Sequence, residues 1–399
     1  MSVTSFEFLV ALFFGSALFA PLSALWMRRS FITLCSIGFL WLQAPNAVNL
    51  LTLIAFVLSG YAAGEILVRR PSKWFLTGYL VALTAAFVIL KRYAFLQLIA
   101  ADSLLTHTID LVGLSFIFFR QIHYVVDIKQ GDIKQTSLWS YLIYQLNPFT
   151  LLAGPIQRFQ RFHEDWQTLE PLPADKHELR KTFLRILIGV LKVALLGELC
   201  LRLAMQPPEG PIPWQVYLFY FFPAYVYFNF AGYCDIVIGA AALVGIRVPE
   251  NFDKPYLSRN MIDFWTRWHR TLTFWIRDYV FTPMYMAIAR ERPRWAPHLV
   301  FVCYFVALFL AGVWHGATWN FVVFGVLNGA GVAAAKLWEN TIVAHRGRPG
   351  LRAYLANRPI RIAAVVATIH FVCLTQIFLR PGTEDNVVKL YQMIIGLFG

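Results

Sequence analysis

Residues 298–319 read HLVFVCYFVALFLAGVWHGATW, an apolar run in which the histidine His315 stands near the end. A helix that crosses a membrane needs about 20 predominantly apolar residues, and this run supplies them. An ionisable side chain inside a membrane span is costly without partners, so the first interpretation of His315 is a functional one. Because imidazole exchanges a proton near neutral pH, the residue suits acid/base chemistry. The stretch therefore predicts a membrane-embedded fold and a candidate catalytic residue together.

Apolar runs of similar length recur along the chain and predict an all-α polytopic membrane protein with roughly ten to twelve membrane helices. The stronger candidates lie at about 5–26, 47–68, 74–90, 103–125, 180–204, 213–230, 298–315, 317–337 and 359–379. The weaker candidates lie at about 31–44, 138–153, 232–246 and 384–398. Gly, Pro and Arg interrupt several runs, which predicts re-entrant and amphipathic segments around a polar central cavity. No stretch is long and polar enough for a soluble domain, so we expect one integral-membrane domain over residues 1–399.

The composition is that of a protein whose surface largely faces lipid. Of the 399 residues, 58% are hydrophobic and only 14% are charged, whereas soluble domains carry about 25% charged residues. The net charge of +13 fits loops held at an anionic membrane leaflet better than a nucleic-acid partner, which we do not expect. The five cysteines are scattered without CxxC or Cys/His spacing, so we expect neither a disulfide framework nor a metal site.

A second Trp–His pair lies in the segment from Asn260 to Tyr285, which we interpret as one amphipathic helix. Its predicted apolar arc consists of Trp265, Trp268, Leu272, Trp275, Ile276 and Tyr279. Its opposite arc carries Asp263, Arg267, Arg270 and Arg277. His269 lies at the edge of the apolar arc. Two interpretations stay open: an interfacial anchor whose arginines meet lipid phosphates, or a segment with a second functional histidine.

Other polar and small residues lie within the apolar segments. Asn229 and Asp235 interrupt one apolar stretch, and each needs a hydrogen-bond partner if it is buried. For Asn229 we prefer a helix-to-helix hydrogen bond. Asp235 is expected either to orient a catalytic histidine or to pair with a nearby arginine. Gly312 and Gly316 flank His315 and permit the close approach of another helix or of a ligand. A purely structural alternative for His315 also stays open, in which these glycines serve helix packing and the imidazole bonds to a backbone carbonyl.

Several short motifs follow one another over about residues 110–330. They are SFIFFR at 115–120, GPIQRF at 154–159, FNFAGY at 228–233, PENF at 249–252, FWTRWH at 264–269, WIRDY at 275–279 and VWHG at 313–316. In this order the chain resembles the membrane-bound O-acyltransferase family. It is most similar to the bacterial branch of that family that contains the alginate O-acetylation and teichoic-acid D-alanylation membrane proteins.

The resemblance implies a ring of membrane helices around a central funnel, with entries from both sides that meet near His315. By the same resemblance His315 is the main catalytic residue, acting as base on an acceptor hydroxyl, and His269 is the second. The candidate substrate-binding residues are Arg267, Arg270, Trp268, Trp314, Asp235 and Asn229. The arginines among them, with Arg158 and Arg161, are candidates for the phosphates of the donor.

The resemblance also implies substrates and partners. The donor is expected to be an acyl thioester, either acyl-CoA or the phosphopantetheine arm of an acyl carrier protein, and no cofactor is expected to stay bound. A separate periplasmic or extracellular acyltransferase partner is expected to complete the O-acylation of a cell-envelope or exported polysaccharide. The location is then the inner (cytoplasmic) membrane of a bacterial cell, with the lipid bilayer as a further partner.

The acyl group and two rival functions stay open. Cys234 replaces the serine of the usual Gly-Tyr-Ser, and the sequence TPMY at 282–285 stands where many alginate-type members carry Gly-Gly-Asn-Arg. The latter feature and the short chain favour D-alanyl transfer, whereas the motifs at 154–159 and 314–319 favour acetyl transfer.

The first rival hypothesis is a proton-coupled transporter or flippase that uses His315 as a proton relay. The absence of internal repeats argues against this rival. The second rival is a structural scaffold that recruits a soluble acyltransferase, and in that case neither histidine would matter.

Overall fold

The computed structural model describes residues 15–16, 18–43, 46–91, 113–134, 137–170, 175–316 and 318–380, and every regular element within these ranges is helical. The helices up to residue 205 are α1 (Leu25–Gln43), α2 (Ala47–Arg69), α3 (Lys73–Lys91), α4 (Leu114–Gln130), α5 (Leu138–Gln145), α6 (Phe159–Thr168), α7 (Lys176–Leu191) and α8 (Glu198–Met205). The later helices are α9 (Trp214–Leu243), α10 (Met261–Arg267), α11 (Arg270–Ile276), α12 (Thr282–Glu291), α13 (Ala296–His315), α14 (Trp319–Ala356) and α15 (Arg358–Gln376). Shorter π and 3-10 segments lie at Lys192–Gly197, Pro255–Leu257, Arg277–Phe281 and Ile377–Leu379.

Six helices in the described part of the chain are long and apolar enough to cross a membrane: α2, α3, α9, α13, α14 and α15 with its 3-10 extension. The predicted all-α polytopic membrane fold is thereby confirmed. Four predicted spans, those near α2, α3, α13 and α15, match the observed helices closely. The predicted span 384–398 lies wholly outside the described residues, and half of the predicted span 5–26 does. The total of ten to twelve crossings and their arrangement around a funnel stay predictions.

The predicted break near Gly232 does not exist. The candidates at 213–230 and 232–246 form one continuous helix, α9. Gly232 stays helical because it packs against Gly189 of α7 so closely that a Cβ atom at either position would collide with the other backbone. Here glycine serves the close approach of two helices instead of ending one of them.

Two other predicted spans differ from the structure. Within the described residues the candidate 103–125 is helical from Leu114 onward, after Gly113 with φ +69°, and residues 103–112 lie outside the described chain. The candidate 138–153 is helical only to Gln145 and continues as turns. By contrast, 317–337 is the first part of the longer α14, which bends at Gly347.

The chain divides into two compact units, each considered by itself: Met1–Ala194 with Gly232–Pro249, and Leu195–Ala231 with Glu250–Gly399. The single domain over residues 1–399 stays a prediction. In the first unit the fully buried Arg120 donates to the carbonyl oxygens of Tyr144 and Gln145, both at 2.8 Å, and to Thr150 Oγ1 at 2.6 Å. Because the last carbonyls of a helix lack intrahelical partners, this guanidinium completes the end of α5.

In the second unit α13 and α14 pack through glycines. A Cβ atom added at Gly312 of α13 would collide with the backbone of Gly325, and one added at Gly329 would lie 2.8 Å from the carbonyl oxygen of Phe305. Small residues at such positions let two helix backbones approach closely. The contact holds the last turn of α13, where His315 lies.

We expect Gly312→Ala to destabilise the protein by about 1–3 kcal/mol, because the added methyl group overpacks the α13–α14 contact. The matched control is Gly78→Ala in α3, where a Cβ atom meets no described atom within 4 Å. Both substitutions gain the same helix propensity of about 1 kcal/mol, so their difference reports packing alone. The measurement is thermal unfolding of the purified protein in detergent. Equal midpoints for the two variants would contradict the packing argument.

Candidate functional site

His315 is the last residue of α13 and is half-buried. Its Nδ1 lies 2.6 Å from the carbonyl oxygen of Ala311, one turn earlier. A carbonyl only accepts, so Nδ1 carries the proton and the lone pair of the neutral ring is on Nε2. The rings of Trp314 and Phe324 lie against it, with centroid distances of 4.9 and 5.6 Å. The helix backbone therefore sets the tautomer of this imidazole.

His269 lies at a break in the helix predicted from Asn260 to Tyr285. The prediction of one continuous helix is wrong: α10 ends at Arg267, Trp268 is extended, and α11 begins at Arg270. His269 itself adopts the left-handed region, with φ 45° and ψ 49°. For a residue with a Cβ atom this conformation costs about 1–2 kcal/mol, so surrounding contacts must hold it.

The fully buried Asn251 supplies these contacts. Its Oδ1 accepts hydrogen bonds from His269 Nδ1 at 3.1 Å, from Thr271 N at 3.2 Å and from Thr271 Oγ1 at 2.9 Å. Its backbone carbonyl accepts from Arg270 N at 3.0 Å. Asn251 stood in the sequence only as part of the PENF motif, so this role was not predicted. The available signal was an amide side chain in the Pro249–Pro255 loop, just before the histidine segment.

The two histidines lie next to each other in the second unit. Their ring centroids are 6.4 Å apart, and the His269 ring also packs on Phe230 at 4.9 Å and near Trp314 at 6.3 Å. His269 lies outside the six candidate spans and is only 2% exposed. Burial, with a smaller contribution from His315, holds the pKa of His269 well below its usual range. The buried ring is therefore neutral at physiological pH.

A cavity of about 170 Å³ lies in the same unit as the histidine pair. Neither histidine lines it, but its lining reaches Ala311, whose carbonyl oxygen accepts from His315. Apolar side chains from α10, α11, α13 and α14 dominate the lining, and among the described residues that line it only Arg277 is charged. Arg277 begins a π-helical turn, a feature that often occurs at functional sites. The cavity suits a mostly apolar ligand.

The predicted substrate residues next to His269 have partners within the protein. Arg267 Nε donates to Asp263 Oδ1 at 2.7 Å. The guanidinium of Arg270 lies over the ring of Phe274 at 5.5 Å. Trp268 is buried in an aromatic cluster with Tyr227, Phe252, Tyr256 and Phe264. A fourth candidate, Trp314, lies against the rings of both histidines, with centroid distances of 6.3 Å to His269 and 4.9 Å to His315. That any of these four residues contacts substrate stays a prediction.

The two remaining candidates belong to different units. Asn229 is half-buried in the second unit, beside Phe230. Asp235 belongs to the first unit, where its carboxylate accepts from Arg185 Nε at 3.1 Å and Lys192 Nζ at 2.7 Å. Asp235 thus takes the ion-paired alternative, with one arginine and one lysine, and its role toward substrate stays a prediction.

Arg158 and Arg161, the other candidates for donor phosphates, also lie in the first unit. Arg158 is the residue that precedes α6. Arg161 forms an exposed ion pair with Glu164 at 3.4 Å. Their contact with a donor stays a prediction as well.

Comparison with known proteins agrees with the motif order. The membrane-bound O-acyltransferase family matches residues 32–375, a wider range than the predicted core at 110–330. The teichoic acid D-alanyltransferase of Streptococcus thermophilus is 27% identical over 397 residues, which cover 94% of each chain. The corresponding protein of Bacillus subtilis is 30% identical over 273 residues, covering 66% of this chain and 67% of its own. The probable alginate O-acetylase AlgI of Azotobacter vinelandii is 30% identical over 294 residues, covering 72% of this chain and 54% of its own.

These matches confirm the resemblance first seen in the motifs. The family match covers most of the chain, and the six apolar helices agree with a multi-pass membrane protein. The chain therefore belongs to the membrane-bound O-acyltransferase family and is a membrane-embedded O-acyltransferase.

Proposed function

We propose that this enzyme takes an acyl group from a cytoplasmic thioester donor and passes it across the bacterial inner membrane for O-acylation of a cell-envelope or exported polysaccharide. The observation that carries the proposal is the histidine pair, in which His315 is anchored through Nδ1 only 6.4 Å from His269. The relative that aligns over 94% of both chains is a D-alanyltransferase, which favours D-alanyl over acetyl as the acyl group. A separate periplasmic or extracellular protein then completes the transfer.

His315 serves as the general base. Its Nε2 takes the proton of the acceptor hydroxyl while the hydroxyl oxygen attacks the thioester carbonyl. The tetrahedral intermediate then expels the thiolate, which receives the proton back from the His315 imidazolium as the new ester forms. Base catalysis of this kind contributes about 10²–10⁴-fold to the rate. The hydrogen bond from Nδ1 to Ala311 supports this role because it keeps the basic nitrogen on the opposite side of the ring.

His269 holds the acceptor molecule through a second hydroxyl. Because its Nδ1 donates to Asn251 and the buried ring is neutral, its Nε2 is a hydrogen-bond acceptor. An acceptor suits the O–H of a hydroxyl next to the reacting one, whose only proton goes to His315, whereas stabilisation of an oxyanion requires a donor. The geometry therefore favours positioning of the acceptor molecule over oxyanion stabilisation.

The donor arm occupies the cavity beside Ala311. A phosphopantetheine arm is long, slender and uncharged over most of its length, and the cavity is predominantly apolar. Both acyl-CoA and an acyl carrier protein present this arm, so the cavity is compatible with either donor. No cofactor is needed for the step, since the thioester is itself the activated substrate.

We expect His315→Ala to lower acyl transfer about 10²–10⁴-fold because it removes the base. The matched control is His370→Ala, since His370 also lies in an apolar helix and its Nδ1 bonds the carbonyl oxygen four residues earlier, at 2.8 Å. The measurement is thiol release by purified protein in nanodiscs, with acetyl-CoA and a D-alanyl carrier protein tested side by side. A folded His315→Ala protein with wild-type thiol release would contradict the assignment. Proton flux without thioester consumption would instead support the transporter alternative.

We expect Asn251→Ala to lower kcat/KM about 10²-fold, because the left-handed turn that positions His269 loses its acceptor. The effect should largely vanish in a His269→Ala background, since coupled residues are not additive. Equal losses in both backgrounds would mean that Asn251 acts on stability alone.

Asn251→Asp gives an independent readout through pH. The carboxylate would keep the acceptor position but favour the imidazolium form and raise the pKa of His269. A raised pKa means that His269 becomes protonated at a higher pH as the solution is acidified. We therefore expect the acidic limb of the kcat/KM profile to move to higher pH. An unchanged profile would argue against a neutral His269 in catalysis.

A further inference from the structure

A second, smaller cavity in the same unit is lined in part by charged side chains and has no part in the chemistry proposed above. It lies between the start of α10, the second half of α14 and the start of α15, with a volume of about 80 Å³. The lining residues that matter here are Arg259, Asn260, Trp338, Glu339, Tyr354 and Arg361. Cationic, acidic and aromatic side chains thus converge on one small space.

The cavity carries a surplus of positive charge. Its two arginines, Arg259 and Arg361, face a single carboxylate, that of Glu339. Glu339 is already engaged, because Lys336 Nζ lies 3.4 Å from one of its oxygens and Asn260 Nδ2 lies 3.5 Å from the other. Arg259 makes one long hydrogen bond, of 3.4 Å, to the carbonyl oxygen of Leu355. An anion with several acceptor oxygens would complete the hydrogen bonding of both guanidinium groups.

The chain around the cavity is strongly basic. Residues 340–380 contain no aspartate or glutamate. Within this stretch, the α14–α15 turn, which comprises residues 346–361 and so includes the end of α14 beyond its bend at Gly347, exposes Arg346, Arg348, Arg352 and Arg358, in addition to Arg361 of the cavity. Basic residues concentrate in the cytoplasmic loops of membrane proteins, where the leaflet is anionic. The turn therefore assigns this end of α14 and α15 to the cytoplasmic face.

Exposed apolar side chains adjoin the cavity on the same two helices. Leu337 and Trp338 of α14 are 55% and 56% exposed, and Ile362 and Val366 of α15 are 57% and 49% exposed. The Nε1–H of Trp338 donates to the hydroxyl of Tyr354 at 3.1 Å. Trp and Tyr side chains favour the headgroup level of a bilayer, with apolar side chains beyond them in the hydrocarbon. A cationic pocket next to a lipid-facing apolar surface matches a molecule with a charged head and apolar tails.

We propose that this cavity binds the phosphate of an anionic phospholipid of the cytoplasmic leaflet. Arg259 and Arg361 hold the phosphodiester oxygens, Trp338 and Tyr354 lie at the headgroup level, and the acyl chains follow the exposed apolar face of α14 and α15. A soluble phosphate compound would gain nothing from that apolar face. The bound lipid would link the turn between α14 and α15 to the start of α10. Met261, the first residue of α10, lies seven residues before Trp268, where the chain leaves the helix in front of His269.

The test uses the full-length protein in detergent, titrated with dioctanoyl phosphatidylglycerol or dioctanoyl phosphatidylcholine, and native mass spectrometry to measure the bound fraction. We expect saturable binding of phosphatidylglycerol in preference to phosphatidylcholine. The double variant Arg259→Gln/Arg361→Gln should bind phosphatidylglycerol about thirtyfold more weakly, since each basic residue at an anionic lipid contributes about fivefold. Arg361→Gln alone, a substitution at an exposed side chain, should lose about fivefold.

The matched control is Arg348→Gln/Arg352→Gln, which removes the same charge from the same turn but leaves the cavity intact. It should keep the wild-type affinity. Equal losses in the two double variants would overturn the proposal in favour of diffuse surface attraction, and so would equal binding of the two lipids. Coenzyme A and inorganic phosphate serve as competitors. Displacement of phosphatidylglycerol by coenzyme A at a single site would assign the cavity to the donor and overturn the lipid assignment.

Discussion

The geometry of the candidate site depends on one buried amide. Asn251 gathers hydrogen bonds from His269 and from both the backbone and the hydroxyl of Thr271, and its own carbonyl receives Arg270 N–H. A left-handed residue with a Cβ atom is unfavourable, and the first amides of a new helix need acceptors. Asn251 meets both requirements at once. The direction of the His269 ring, and with it the spacing of the histidine pair, follows from that side chain.

Both histidines lie at helix ends, and a hydrogen bond from Nδ1 to a carbonyl oxygen fixes the tautomer of each. His315 closes α13 and donates Nδ1–H to a backbone carbonyl, whereas His269 precedes α11 and donates Nδ1–H to a side-chain carbonyl. In each case a carbonyl fixes the tautomer and leaves Nε2 as the basic nitrogen of the neutral ring. Helix ends suit this purpose because the chain changes direction there. The glycine contact of α13 with α14 and the amide of Asn251 then hold the two ends in place.

The sequence pattern was a good guide where a helix is long and apolar, as in α2, α3 and α13. It failed at shorter scales. The spacing of Trp265, Trp268 and Leu272 fits the period of an α-helix, yet the backbone is not helical at Trp268 and His269. Local propensity gives little warning of a left-handed histidine, since the acceptor that stabilises it lies in another segment. At Gly232 the sequence pattern predicted two separate spans, but the helix is continuous there. The packing of Gly232 against Gly189 can be recognised only when the partner helix is known.

By itself the sequence determined the membrane class and the family, and it proposed the two histidines as candidate site residues. In lipid a helix satisfies the hydrogen bonds of its own backbone, so an apolar run of span length predicts a membrane helix. The order of the family motifs can be read directly from the linear sequence. Only the tertiary structure decided the backbone conformation of His269, its bond to Asn251 eighteen residues away, and the pairing of Asp235 with Arg185 and Lys192. These features depend on contacts between separate segments, whose energies are set by burial and hydrogen-bond geometry and not by local periodicity.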